Sequence, residues 1–269
     1  MLLEVENLSV SYADEEGVLT PAATGVSLTL DRGEVLGLVG ESGSGKSTVA
    51  MCVPRLLPMP AARIVSGRVL LDGEDVLSFP PSRMADVRGR RIGVIFQEPM
   101  TALSPLHRVG DQIAETALLH RRMSKAAARS LALEWLAKVG IPDPAARARA
   151  WPHELSGGMQ QRVMIATALV NEPDLVIADE PTTALDVTVQ AQILALLRTL
   201  IGKSSGCIFI THDLGVVSEM ATRIAVMKDG AVVERSDDVR AFFARPTHPY
   251  SRRLVELSRR YAIQGGGDD

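Results

Sequence analysis

The chain has 269 residues, with 29 lysines and arginines against 32 aspartates and glutamates, so it is long enough for a full core and too acidic, at −3, for a general electrostatic hold on nucleic acid. Its two cysteines, Cys52 in a predicted helix and Cys207 in an apolar strand, suggest neither a disulfide framework nor a zinc or iron–sulfur site, and a reducing compartment is expected. No apolar run nears the ~20 residues that span a bilayer, and acids stand at Glu4 and Glu6 where a secretory leader would carry bases, so neither a span nor a leader is expected.

Residues 3–12 alternate apolar and polar side chains, and residues 26–30 do so again before the turn Asp31-Arg32-Gly33. This predicts an antiparallel sheet ahead of a buried strand at 35–39. That strand runs into Gly40-Glu41-Ser42-Gly43-Ser44-Gly45-Lys46-Ser47, and residues 47–51 predict a helix after it. Strand, glycine-rich loop, lysine, hydroxyl and helix in this order make a loop that wraps phosphates. Glycines accept unusual dihedrals, backbone N–H groups turn inward, Lys46 reaches the phosphates and Ser47 reaches Mg²⁺. The expected ligand is a nucleoside triphosphate, with Thr48 beside it at the helix start.

Further along, a strand is predicted at 67–71, a turn at Asp72-Gly73 and an apolar strand at 92–96, with Arg88-Gly89-Arg90-Arg91 read as a solvated basic face. From about 99 to 162 the pattern is helical, best at 109–120 and 125–139, with a break at Gly140-Ile141-Pro142-Asp143-Pro144. This stretch reads as a helical insertion. Strand and helix then alternate through 175–178, 187–201, 207–211, 214–220 and 224–227, the pattern of a parallel sheet covered by helices. A helical tail ends in Gly265-Gly266-Gly267-Asp268-Asp269, and no internal repeat is found.

Two other clusters carry chemistry. The apolar run 175–178 ends abruptly in Asp179-Glu180, and adjacent carboxylates at a strand's carboxyl end are costly unless a cation or a reaction uses them. Asp179 is placed to share the Mg²⁺ shell with Ser47, which leaves Glu180 to orient or deprotonate an attacking water. In Leu155-Ser156-Gly157-Gly158-Met159-Gln160-Gln161-Arg162, Ser156 can cap a helix while Gly157 and Gly158 let an anion approach its first N–H groups. This second phosphate-seeking start has no lysine of its own, so it is expected to complete a nucleotide site built mainly by another chain.

That segment matches the signature loop of the ATP-binding-cassette (ABC) family, and nearly the whole chain resembles the family in order. The resemblance implies that Tyr12 stacks on adenine and that Gln97 links Mg²⁺ and water to the helical insertion. It implies too that Ala184-Leu185-Asp186 crosses a dimer interface and that His212 is the switch histidine near the γ-phosphate. Taken singly, Tyr12 reads as a strand aromatic, Gln97 as an ordinary strand end, His212 as a turn histidine and Asp186 as the cap of the helix from 187. Order and spacing relative to Lys46 and Asp179 outweigh those readings.

The implied fold is an α/β P-loop NTPase core, a mainly parallel sheet flanked by helices, with an N-terminal antiparallel β subdomain and an inserted helical subdomain. The expected divisions are 1–98 and 163–240 for the core, 99–162 for the insertion with its signature loop, and 241–269 for the tail. Phe96-Gln97-Glu98-Pro99-Met100-Thr101-Ala102-Leu103-Ser104-Pro105 and Arg245-Pro246-Thr247-His248-Pro249-Tyr250-Ser251 are similar to segments of the family's peptide and nickel importers. No cysteine follows Cys207, so the iron–sulfur cluster of some such importers is not carried over.

The resemblance implies an ATPase that uses ATP and Mg²⁺ and powers solute import, closing head to tail on a second ABC subunit, identical or related. Its other expected partners are two membrane-spanning permease subunits and, indirectly, an extracellular or periplasmic substrate-binding protein, with no nucleic acid. The expected place is the cytoplasmic face of the membrane, held peripherally. A soluble ABC-type ATPase acting on ribosomes or DNA is the competing expectation. It usually carries two cassettes or a long coiled-coil insertion, and neither is visible.

Overall fold

The computed structural model describes residues 1–264 other than positions 184 and 203, so Ala184 of the expected interface loop and the glycine-rich ending lie outside the described residues. The chain forms two compact units, one from 1–79 together with the stretch from 206 onward, the other from 80–205.

The first unit begins with β1 (Leu3–Ala13) and β2 (Leu19–Leu30), then β3 (Val35–Val39), α1 (Lys46–Cys52), β4 (Ala62–Leu71) and the short β5 (Glu74–Asp75). β1 lies between β2 and β4, antiparallel to both, and β5 extends the sheet beyond β4. Alternation in β1 sends Leu3 and Val5 into the core, and after an irregularity at Glu6-Asn7 shifts the phase it sends in Leu8 and Val10. β2 starts at Leu19, seven residues before its alternation begins. Pro21-Ala22-Ala23 has little strand propensity, but pairing of Ser11 with Pro21 and Val10 with Ala23 draws it into the sheet.

The second unit opens with α2 (Pro81–Val87), β6 (Ile92–Ile95), α3 (Pro99–Ala102), α4 (Val109–His120), α5 (Lys125–Lys138) and α6 (Pro144–Arg147). It continues through α7 (Gly157–Leu169), β7 (Leu175–Asp179) and α8 (Val187–Leu200). Helices α3, α4 and α5 pack on α7, which also contacts β6. β6 and β7 run parallel, with Ile95 beside Ala178, and every residue of β7 is buried. Ser124 caps α5 by accepting from the Ala127 N–H at 3.2 Å.

The chain returns to the first unit with β8 (Gly206–Thr211), α9 (Leu214–Met220), β9 (Arg223–Lys228), β10 (Ala231–Ser236), α10 (Val239–Ala244) and α11 (Pro249–Gln264). Here β3 lies between β8 and β9, parallel to both, and β10 turns back antiparallel on β9. β8 is buried along its whole length, in keeping with the apolar run Cys-Ile-Phe-Ile at its centre. The expected architecture of parallel strands flanked by helices, an antiparallel β subdomain and a helical insertion is the one found.

Candidate functional site

In the first unit the candidate residues gather at one end of the parallel strands. Val39 of β3 lies beside Thr211 of β8, so the chain leaves one strand through Gly40 and its neighbour through His212, both at carboxyl ends. Such ends are where open α/β sheets bind ligands. Gly40 (φ 153°) and Gly45 (φ 95°) both have positive φ, and a Cβ at either would collide with a backbone carbonyl, that of Met227 or that of Ala22. Only glycine fits both positions.

Lys46 is 5% exposed and turned back into the loop it follows. Its Nζ donates to the carbonyls of Gly40 at 2.9 Å and Glu41 at 2.8 Å, and lies 3.4 Å from Ser44 Oγ. The Gly230 N–H donates to the Ser44 carbonyl at 3.2 Å, which ties the loop to the β9–β10 turn. Glu41, Ser42, Gly43 and Ser47 are exposed. Tyr12 is half-buried, and its hydroxyl lies 3.3 Å from Thr48 Oγ1, so the aromatic candidate touches the start of α1.

The second unit holds the other candidates. With Ile95 beside Ala178, Gln97 and Glu180 emerge together two residues later, and Gln97 Nε2 lies 3.5 Å from Glu180 Oε2. Asp179 is the buried last residue of β7. Glu180 sits in the left-handed region at φ 47°, an unusual conformation for a residue with a side chain. The turn after it supports that conformation: the Thr183 N–H donates to the Glu180 carbonyl at 3.2 Å and Thr183 Oγ1 to Glu180 Oε2 at 2.8 Å.

Ser156 is exposed and caps α7, its Oγ accepting from the Met159 N–H at 3.4 Å. Gly157 is exposed with open space around it, and Gly158 is half-buried. Two buried amides of α7 fix its surroundings. Gln160 donates to the carbonyls of Pro152 at 2.8 Å and Leu155 at 3.1 Å, and Gln161 donates to that of Pro181, next to Glu180, at 2.5 Å. Asp186 caps α8, accepting from the Val189 N–H at 2.9 Å. The helix-cap reading of Asp186 therefore holds, whatever further part it plays.

Thr183, Gln160 and Gln161 were not singled out by sequence reasoning. Thr183 stands three residues after Glu180, a spacing at which a hydroxyl can reach back across a turn. The two glutamines lie on the buried side of α7, and polar residues on a buried face need partners.

The donor set proposed for Mg²⁺ is the Ser47 hydroxyl, the Gln97 amide oxygen and the Asp179 carboxylate. All three are hard oxygens, which suits that cation.

A family model described as ABC transporter matches residues 23–183. A probable peptide ABC transporter ATP-binding protein, y4tR of Sinorhizobium fredii, is 52% identical over 95% of this chain and 76% of its own length. The oligopeptide transport ATP-binding protein OppD of Bacillus subtilis is 50% identical over 94% of this chain and 71% of its own. Among solved structures, a dimeric post-hydrolysis state of the ATP-binding cassette MJ0796, bound to ADP and Pi, superposes with a TM-score of 0.78 at 31% identity, covering 88% of this chain and 99% of that one.

Proposed function

This chain belongs to the ABC transporter family, as an ATP-hydrolysing subunit with peptide-transporter relatives, and from that premise we propose that it powers peptide import across the cell membrane. The observation that carries the peptide reading is its roughly 50% identity to peptide and oligopeptide transport ATP-binding proteins over nearly its whole length. Nickel or metal chelates are the alternative cargo, proposed only on the resemblance of segments 96–105 and 245–251 to those of the family's peptide and nickel importers.

In the proposed cycle Tyr12 and Thr48 flank the adenosine side of ATP, while 40–47 wrap its phosphates and Lys46 offsets their charge. Ser47, Gln97 and Asp179 would hold Mg²⁺, which would supply positive charge to offset that of the phosphates. Glu180 orients the attacking water and takes its proton, with His212 beside the γ-phosphate. Left-handed backbone and the Thr183 hydrogen bond hold the Glu180 carboxylate in one place, which suits a step that depends on positioning.

Ser156, Gly157, Gly158 and Asp186 are proposed to act on ATP held by a second ABC subunit, identical or related, facing head to tail. Support comes from a capped, exposed helix start that has no lysine of its own, and from the likeness to a dimeric cassette. ATP then favours the closed dimer and hydrolysis the open one.

Among the described residues no helix is long and apolar enough to cross a membrane. Transport on this reading needs two permease subunits, which hold the chain at the cytoplasmic face, and a binding protein outside. The insertion, 99–162, is proposed as the part that passes motion to the permease.

The test is uptake by proteoliposomes containing the chain with its copurified membrane subunits and binding protein. Labelled peptide should enter only with ATP. Copurification with ribosomes or DNA and no membrane subunit would instead favour the soluble motor.

A further inference from the structure

One peptide unit of the phosphate loop is gripped at both ends. The Gly40 carbonyl accepts from Lys46 Nζ at 2.9 Å, and the N–H of the same peptide, that of Glu41, donates to the Tyr250 hydroxyl at 3.0 Å. An ammonium on the carbonyl polarises the amide and strengthens the N–H as a donor, so the two contacts reinforce each other. Tyr250 reaches this peptide from 209 residues away in sequence.

Its approach is built. The Tyr250 ring is 8% exposed and packs in a core with Val39, Leu214, Phe242 and Val255, while Lys228 Nζ lies 5.2 Å from the ring centre. Glu234 of β10 anchors the segment before it, accepting from the Thr247 N–H at 2.7 Å, the Thr247 hydroxyl at 2.8 Å and the His248 N–H at 2.9 Å. Burial pushes the Glu234 carboxyl up, but the hydrogen bonds from 247–251 outweigh it and hold the group below its ordinary value, so it remains a charged acceptor. His248 Nδ1 in turn accepts from the Tyr250 N–H at 3.2 Å. Burial pushes the Tyr250 phenol up, the Glu41 N–H pulls it down, and the Glu41 and Asp229 carboxylates add to the rise, so the hydroxyl stays protonated.

We infer that Tyr250 is a positioning residue for nucleotide binding: its hydroxyl lets the carboxy-terminal segment hold the 40–41 peptide, and the loop around it, in the orientation a triphosphate requires. The inference rests on the reading of 40–47 as the triphosphate loop. With its N–H committed to Tyr250, the 40–41 peptide is held against flipping, and ATP meets a loop whose ordering cost has already been met. Through Tyr250 the 247–251 segment, whose role the resemblance left open, becomes part of the nucleotide site.

The test compares the full-length wild type with Tyr250→Phe and Lys46→Ala, using MgATP titration, steady-state hydrolysis, thermal melting and deuterium exchange of the loop without nucleotide. Phenylalanine keeps the ring in the core and removes only the acceptor. Loss of one hydrogen bond predicts a rise of about three- to tenfold in Kd and KM, with kcat within about twofold. The melting temperature should hold, and amides of 40–46 should exchange faster. Tyr250→Phe matching wild type in affinity and exchange, beside a Lys46→Ala that binds nothing, overturns the inference and spares the site reading. Tyr250→Phe that loses melting temperature and kcat together marks a general structural prop and overturns it as well. Lys46→Ala that binds MgATP like wild type overturns the site reading, and the inference falls with it.

Discussion

Thr183 Oγ1 donates to Oε2 of Glu180 at 2.8 Å, within a turn that holds Glu180 at φ 47°. The hydroxyl fixes one carboxylate oxygen, and with it the orientation of the group. Thr183→Val keeps the shape of the side chain and removes the donor. A hydrogen bond to a charged group is worth enough that kcat should fall about tenfold, with KM for ATP little changed. Steady-state kinetics checks this, and an unchanged kcat would show that the turn alone positions Glu180.

Glu180→Gln removes the proposed proton acceptor and preserves the side chain's size. Loss of general-base help predicts a fall in turnover of about 10²–10⁴-fold, with ATP binding intact. Because the bound state is then long-lived, a dimer should accumulate with MgATP and appear as an earlier peak in size-exclusion chromatography. Turnover near the wild-type rate would take the base role away from Glu180.

Ser156→Arg places a large cation where the exposed cap of α7 is proposed to meet a partner's γ-phosphate. The cap's bond to the Met159 N–H, 3.4 Å in the native chain, is also lost, so the melting temperature should drop by an amount corresponding to about 1 kcal/mol. Nucleotide binding to the monomer should be spared, since Lys46 and its loop belong to the other compact unit. Hydrolysis should stop. Normal hydrolysis by this variant would refute the shared site.

Much of this was legible because the relevant signals are local. The loop 40–47 declares itself through glycines and Lys46 at fixed spacing, and the 109–120 helix was predicted with the bounds it has, Val109–His120. Fully buried strands such as β7 and β8 contain uninterrupted apolar runs, 175–178 and 207–210. β10 was missed because Ala231–Ser236, half-buried except for the exposed Arg235, carries no clear alternation; pairing with β9 makes it a strand. α2 was missed because it is only about two turns, begun by proline. The Tyr250 contact with Glu41 was out of reach for a different reason. Nothing in either residue's neighbourhood reports a partner 209 positions away, and only the folding of α11 against the α9 core brings them together.

Cys52 ends α1 and Cys207 lies in β8, both fully buried, and burial alone pushes each thiol from an ordinary value near 9 up to about 12. At pH 8 neither should react with a thiol reagent in the native chain, and both should react at once in denaturant. The same shift sets a pH dependence. Above about pH 9 the unfolded chain releases thiol protons that the folded chain retains, so the unfolded state binds fewer protons and stability falls as pH rises, by up to about 1.4 kcal/mol per pH unit for each thiol. Below pH 8 both states hold those protons and the pair contributes no slope. Denaturant melts at pH 7, 8, 9 and 10 measure this directly. A single thiol that reacts quickly at pH 8 without denaturant would show that its element opens in the native state. If that thiol is Cys52, the element is α1, and MgATP should slow the reaction because the loop it is proposed to bind leads directly into that helix.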